Sequence, residues 1–119
     1  MFTTNTEPVN FHSSTIKHAL YGNIQHFQEI GNFQDVTLIG DDGESIKAHS
    51  AILASSSKLM FRILENINQL NPCFYMKGFR IGELKIIIEF IYRGSITISQ
   101  EELNTFFLQA DELHAAARI

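Results

Sequence analysis

A chain of 119 residues with 45% apolar content fits one domain around a single core and leaves no room for a second. Nine Lys and Arg against thirteen Asp and Glu give a net charge of −4, the wrong sign for gripping phosphates, so direct nucleic-acid binding by this segment is not expected. A single cysteine, Cys73, cannot form an internal disulfide or a zinc-finger ligand set, no apolar run reaches the ~20 residues of a membrane span, and "MFTTNTEPVN" lacks the features of a signal peptide, which together point to an intracellular setting.

Residues 1–12 read as an N-terminal arm carrying Pro8, and residues 13–119 as the domain itself. From the candidate caps Ser13 and Ser14, apolar residues at Ile16, Ala19, Leu20, Ile24 and Phe27 have the spacing of a one-sided helix that stops near Gly31. Gly22 inside it is either neutral or a place where another backbone comes close. "DVTLIGDDGESIKAH" alternates, turns at Asp42-Gly43 and alternates again, the signature of a β-hairpin. Its acidic residues Asp41, Asp42 and Glu44 lack the ligand spacing of a calcium loop and read as turn chemistry.

"KAHSAILASSSKLMFRIL" follows, with Ser50 placed to cap one short helix and Ser57 a second, apolar nearly all round, so that the helical pair is expected to be deeply buried. After the polar loop 65–71, Pro72 bars further helix and "CFYMKGF" reads as a strand. Leu84, Ile87, Ile88 and Ile91 mark a long helix with Arg93 at its negative end and Gly94 as its left-handed stop. "SITIS" reads as a short strand, and Ser99 with Glu102 forms a capping box for a last helix bearing Leu103, Phe106, Phe107, Ala110 and Leu113. "HAAARI" has neither cap nor breaker, as though a further helix were truncated. The order is that of an α+β fold, a small β-sheet flanked by a cluster of α-helices.

Chemistry is sparse in this pattern. A serine hydrolase would need a serine on a strained turn beside a base, commonly G-x-S-x-G, and none occurs. His49 instead stands at a strand-to-helix junction, where an imidazole can satisfy loose backbone groups, so it reads as structural. His12, His18 and His26 show no i, i+4 pair for zinc, and no glycine-rich phosphate loop exists. No enzymatic activity, metal or cofactor is expected.

"FQDVTL", "IKAHSAILASSSKLMFRIL" and "YRGSITISQEEL" together resemble the BTB/POZ domain, with the ending closest to its arthropod tramtrack-type subgroup of zinc-finger transcription regulators. The resemblance runs from about Phe11 to Arg118. It implies a dimer through the first helix, with Ile16, Leu20, Gly22, Ile24 and Phe27 at the interface, and exchange of the arm around Val9 and Phe11 with Ile96 and Ile98 of a neighbouring chain. Assembly into a dimer or a larger even-numbered oligomer follows. Asn23, His26 and Asp35 match positions of a lateral groove that holds co-regulator peptides. In two places the chain departs from the family pattern: Ser50 stands where a basic residue usually pairs with Asp35, and Phe11 where tramtrack-type members carry a tryptophan.

The resemblance therefore implies a homo-oligomerisation and protein-interaction domain of a nuclear transcription or chromatin regulator. Its partners would be itself, related BTB domains and co-regulator peptides, with no nucleic acid and no membrane. One alternative on the same fold is a substrate adaptor of a cullin-type ubiquitin ligase, for which the loop "ENINQLNP" has no clear acidic signature; a serine hydrolase using His49 is the remote one.

Overall fold

The computed structural model describes residues 6–113, and its regular structure begins with α1 (Ile16–Ile30). Thr15 rather than Ser13 or Ser14 is the residue before the first turn, and Ser13 supports it by accepting from the Thr15 backbone N–H at 3.4 Å. The helix stops at Gly31, whose left-handed φ of 80° lets its N–H return to the Phe27 carbonyl at 2.9 Å. The alternation that follows folds as the hairpin of β1 (Val36–Ile39) and β2 (Ser45–Ala48), with Val36 opposite Ala48 and Ile39 opposite Ser45.

The other edge of β1 takes β3 (Cys73–Tyr75) in parallel, giving the strand order β2-β1-β3. A parallel neighbour needs a crossover, and α2 (Ser50–Ser56) with α3 (Lys58–Glu65) supplies it. This helical pair is less buried than its sequence suggests. Leu53, Ser57 and Met60 are enclosed, whereas Ala51, Ser55, Phe61 and Arg62 are exposed, because the two helices pack on each other and α2 on α4, which leaves their outer faces to solvent. Ser50 is the first residue of α2 rather than its cap; His49 holds the cap position, and its carbonyl accepts from Ile52 and Leu53. Ser57 does cap α3, accepting from the Met60 N–H at 3.1 Å, and its hydroxyl also donates to the Leu113 carbonyl, tying the helical pair to the end of the last helix.

The acidic turn of the hairpin is structural. Asp41 accepts from the Gly78 N–H at 2.9 Å and from the Tyr75 hydroxyl at 2.5 Å, while Asp42 reaches the N–H of Ile81 at 3.3 Å, at the head of α4 (Ile81–Arg93). The hydrogen bond from Tyr75 to Asp41, then desolvation and the Asp41 charge, hold the Tyr75 phenol above its ordinary value. A side chain at Gly40 would sit 2.9 Å from the Ile81 nitrogen and 3.1 Å from the Phe79 carbonyl, so only glycine lets the turn cross there. α4 carries Leu84, Ile87, Ile88 and Tyr92 into the core beside Val36, Leu38 and Ala48 of the sheet. Gly94 ends it in the left-handed conformation, and α5 (Gln100–Glu112) opens with the capping box of Ser99 and Glu102.

Between α4 and α5, residues 95–99 do not form the strand read from "SITIS". Ile96 and Ile98 pack against the core while Ser95, Thr97 and Ser99 face outward, a strand's alternation without a ladder. A ladder needs a second strand, and helices occupy both flanks. The stretch "HAAARI" lies outside the described residues.

Candidate functional site

α1 has an apolar face that its own chain leaves uncovered. None of its fifteen residues is buried. Ile16 and Leu20 are each 58% exposed, with Tyr21 and Ile30 close behind, so the helix presents apolar side chains to the outside. The expected interface residues therefore divide. Ile16 and Leu20 face outward; Gly22 is exposed, and a Cβ built on it would meet nothing within 4 Å, so within the chain nothing requires a glycine there. Ile24 already packs against the core, and Phe27 meets Phe33 edge to face at 5.0 Å, leaving both half-buried.

Polar contacts add to the packing of Ile24 in holding α1 to the body. Gln28 donates to the Lys47 carbonyl at 3.2 Å, Gln34 to the same carbonyl at 3.3 Å and to Gln28 at 3.2 Å, which also occupies part of the outer edge of β2. Arg93 reaches Glu29 at 3.3 Å, an exposed pair of small energetic weight.

His49 locks the end of this helix to the core. Its Nε2 lies 2.7 Å from the Asn32 carbonyl and must donate to it, since a carbonyl only accepts. Nδ1, 2.6 Å from the Tyr92 oxygen, is then the acceptor of the phenol proton, and the same oxygen accepts from the His49 backbone N–H at 2.9 Å. Every donor in this triangle has an acceptor. Tyr92 is 4% exposed, and its phenol is pushed up to about 12, chiefly by desolvation and further by the Asp35 charge, against the opposing bond from the His49 backbone. The Tyr92 and Asn32 partners were not legible in sequence, although a tyrosine on the apolar side of a helix must find a partner for its hydroxyl.

Asp35 has a partner after all, a neutral one. Ser50 donates to it twice, through its N–H at 2.7 Å and its hydroxyl at 2.6 Å. The two residues sit at one end of a cleft of about 170 Å³ beside Leu64, Ile67 and Leu70. Asn23 and His26, exposed on α1, do not line it. The commitments of His49 and Ser50 leave neither free for the other, so the nucleophile and base of a hydrolase do not meet here. Among the described residues no three His, Cys, Asp or Glu side chains form a metal-binding group, and no helix is long and apolar enough to cross a membrane. Val9 and Phe11 of the arm are 71% and 90% exposed.

An outward amphipathic first helix, a three-stranded mixed sheet and a helical crossover latched by a histidine define a small interaction domain. Residues 24–118 match the BTB/POZ domain, and the chain belongs to that family of protein-interaction domains. Its fold is similar to the BTB domain of zebrafish PATZ1, with a TM-score of 0.75 over 89% of this chain and 86% of that one, at 21% identity. Among relatives in Drosophila melanogaster, Longitudinals lacking protein-like is 34% identical over 89 residues, covering 75% of this chain and 69% of its own length. Protein bric-a-brac 1 is 36% identical over 81 residues, and Protein tramtrack, alpha isoform, 30% over 81, each covering 68% of this chain. Those stretches are 8% and 10% of the two longer relatives, so the chain spans a tenth of them or less.

Proposed function

We propose that this chain is the self-association and protein-interaction module of a nuclear transcription or chromatin regulator. Two copies join through α1, and the arm around Val9 and Phe11 of one chain pairs with residues 95–99 of another, giving a dimer or a larger even-numbered assembly. The observation that carries the proposal is α1 itself: fifteen helical residues, none buried, with Ile16 and Leu20 more than half exposed. A helix of this kind is stable only when its apolar stripe is covered, and a self-complementary patch closes under two-fold symmetry. The alternation of Ile96 and Ile98 without a ladder supports the exchange, because an extended stretch outside the three-stranded sheet is open to pairing with a strand of a second chain.

In such a regulator the module joins DNA-binding chains, and Asn23 and His26 on the exposed side of α1, with Asp35, offer contacts to co-regulator peptides or to related BTB domains. The relatives named bric-a-brac and tramtrack support this setting. Light scattering on the wild-type chain and on Leu20→Asp tests it. The wild type is expected at twice the chain mass or an even multiple, and the variant at one chain mass or unfolded. A Leu20→Asp protein with wild-type mass and melting temperature would overturn the assignment of α1.

A further inference from the structure

We propose that the cleft at Asp35 takes a cationic side chain of a partner peptide, an arginine followed by a large apolar residue; this rests on the chain being a protein-interaction module, but not on its self-association. The cleft lies between the start of α2 and the loop after α3, about 170 Å³ in volume. At one end stands the Asp35 carboxylate, oriented from behind by the Ser50 N–H at 2.7 Å and hydroxyl at 2.6 Å. A carboxylate offers about four acceptor sites, so two such bonds fix its direction and leave the remainder open. Ser50 brings no charge, and among the described residues no Lys, Arg or His lines the cleft. Asp35 thus presents a negative charge that none of the described lining residues balances.

The rest of the lining is apolar or amide. Leu64 and Ile67 form a half-buried wall, and Leu70 is 93% exposed, a leucine held in water with nothing over it. A carboxylate at the end of an apolar trough complements a side chain with an aliphatic stem and a cationic head. Arginine fits better than lysine, because its planar fork can bond both carboxylate oxygens on their free sides while the stem lies along Leu64 and Ile67. The following apolar residue would cover Leu70. Phosphorylated or acidic segments are disfavoured by the same charge and by the net −4 of the chain.

The test is an NMR titration of the wild-type 119-residue chain with a capped hexapeptide containing arginine followed by leucine, against a twin with glutamine in place of the arginine. The arginine peptide is expected to shift the backbone amides of Asp35, Ser50 and residues 64–71, and to bind at least tenfold more tightly than its twin. Asp35→Asn keeps an acceptor for Ser50 and is expected to lose that preference. Ser50→Lys, which sets a cation beside Asp35, is the second variant, should the first fail to fold, and is expected to lose it as well. Equal binding of the two peptides, shifts confined to other surfaces, or an undiminished preference in a folded variant would overturn the proposal. The mass of the same samples is read in parallel. An even-numbered assembly indifferent to the arginine peptide refutes the cleft alone, whereas a monomer that binds it refutes self-association and leaves the cleft standing.

Discussion

Shortening Leu20 to alanine removes an outward side chain without disturbing the helix that carries it, since alanine is the best helix former. The side chain is 58% exposed, so only the remaining part of its contacts belongs to its own chain. Fully burying a leucine contributes about 1.5–3 kcal/mol, and the exposed share is therefore worth roughly 1–1.7 kcal/mol when a second chain covers it. A two-fold interface contains the residue twice, which brings the expected loss to about 2–3.5 kcal/mol per dimer, or a roughly 30- to 300-fold weaker dissociation constant. Gly22→Ala gives the complementary signal. Its added methyl meets nothing within 4 Å inside the chain and should raise helix stability by ~1 kcal/mol, so the single chain gains. If the two helices approach closely at Gly22, the dimer loses at the same time. Sedimentation equilibrium over a dilution series measures both constants, and the concentration dependence of the melting temperature checks them independently. A Leu20→Ala dissociation constant within threefold of wild type would refute an interface centred on this face. Gly22→Ala stabilising chain and dimer alike would show that no backbone comes close there.

Three further outcomes follow from the described contacts. Replacing His49 with alanine takes the acceptor from the Tyr92 hydroxyl proton and the imidazole donor from the Asn32 carbonyl, while the backbone N–H of residue 49 still reaches the phenol oxygen, and calorimetry should record a loss of about 1–3 kcal/mol; an unchanged melting temperature accompanied by loss of a measurable esterase activity would refute its structural role. Because the Tyr92 phenol is raised from the ordinary value of 10 to about 12 in the folded state, its contribution is complete below pH 10 and is lost as pH rises through about 12. Alkaline unfolding of wild type should thus steepen between pH 10 and 12 relative to Tyr92→Phe, and parallel curves would contradict the burial assigned to it. Deleting residues 1–11 should shift the assembly to smaller species in light scattering, and an assembly of unchanged size and resistance to dilution would exclude exchange of the arm.

Local chemistry was readable from the sequence wherever a residue acts on its own neighbours. Gly31 and Gly94 stop helices because a left-handed position favours a residue without Cβ, and Ser57, Ser99 and Glu102 cap because their oxygens reach N–H groups within three residues. The same holds for the hairpin at Asp42-Gly43 and for the apolar stripe of α4, whose period alone names Leu84, Ile87 and Ile88 as core. What needed the folded chain were relations between distant residues. Apolar content made α2 and α3 look enclosed, yet burial depends on how many neighbours surround a helix, and here one side faces solvent. "SITIS" has a strand's alternation, but a strand is a property of two segments, and the three-stranded sheet closes without this one. Asp35 could be located in sequence but not its neutral pairing with Ser50, and His49 could be called structural but not joined to Tyr92, forty-three residues away. Sequence periodicity determines which faces are apolar and where backbone must turn, because those are short-range properties; which faces are covered, and which polar groups meet, is decided only when the chain returns on itself.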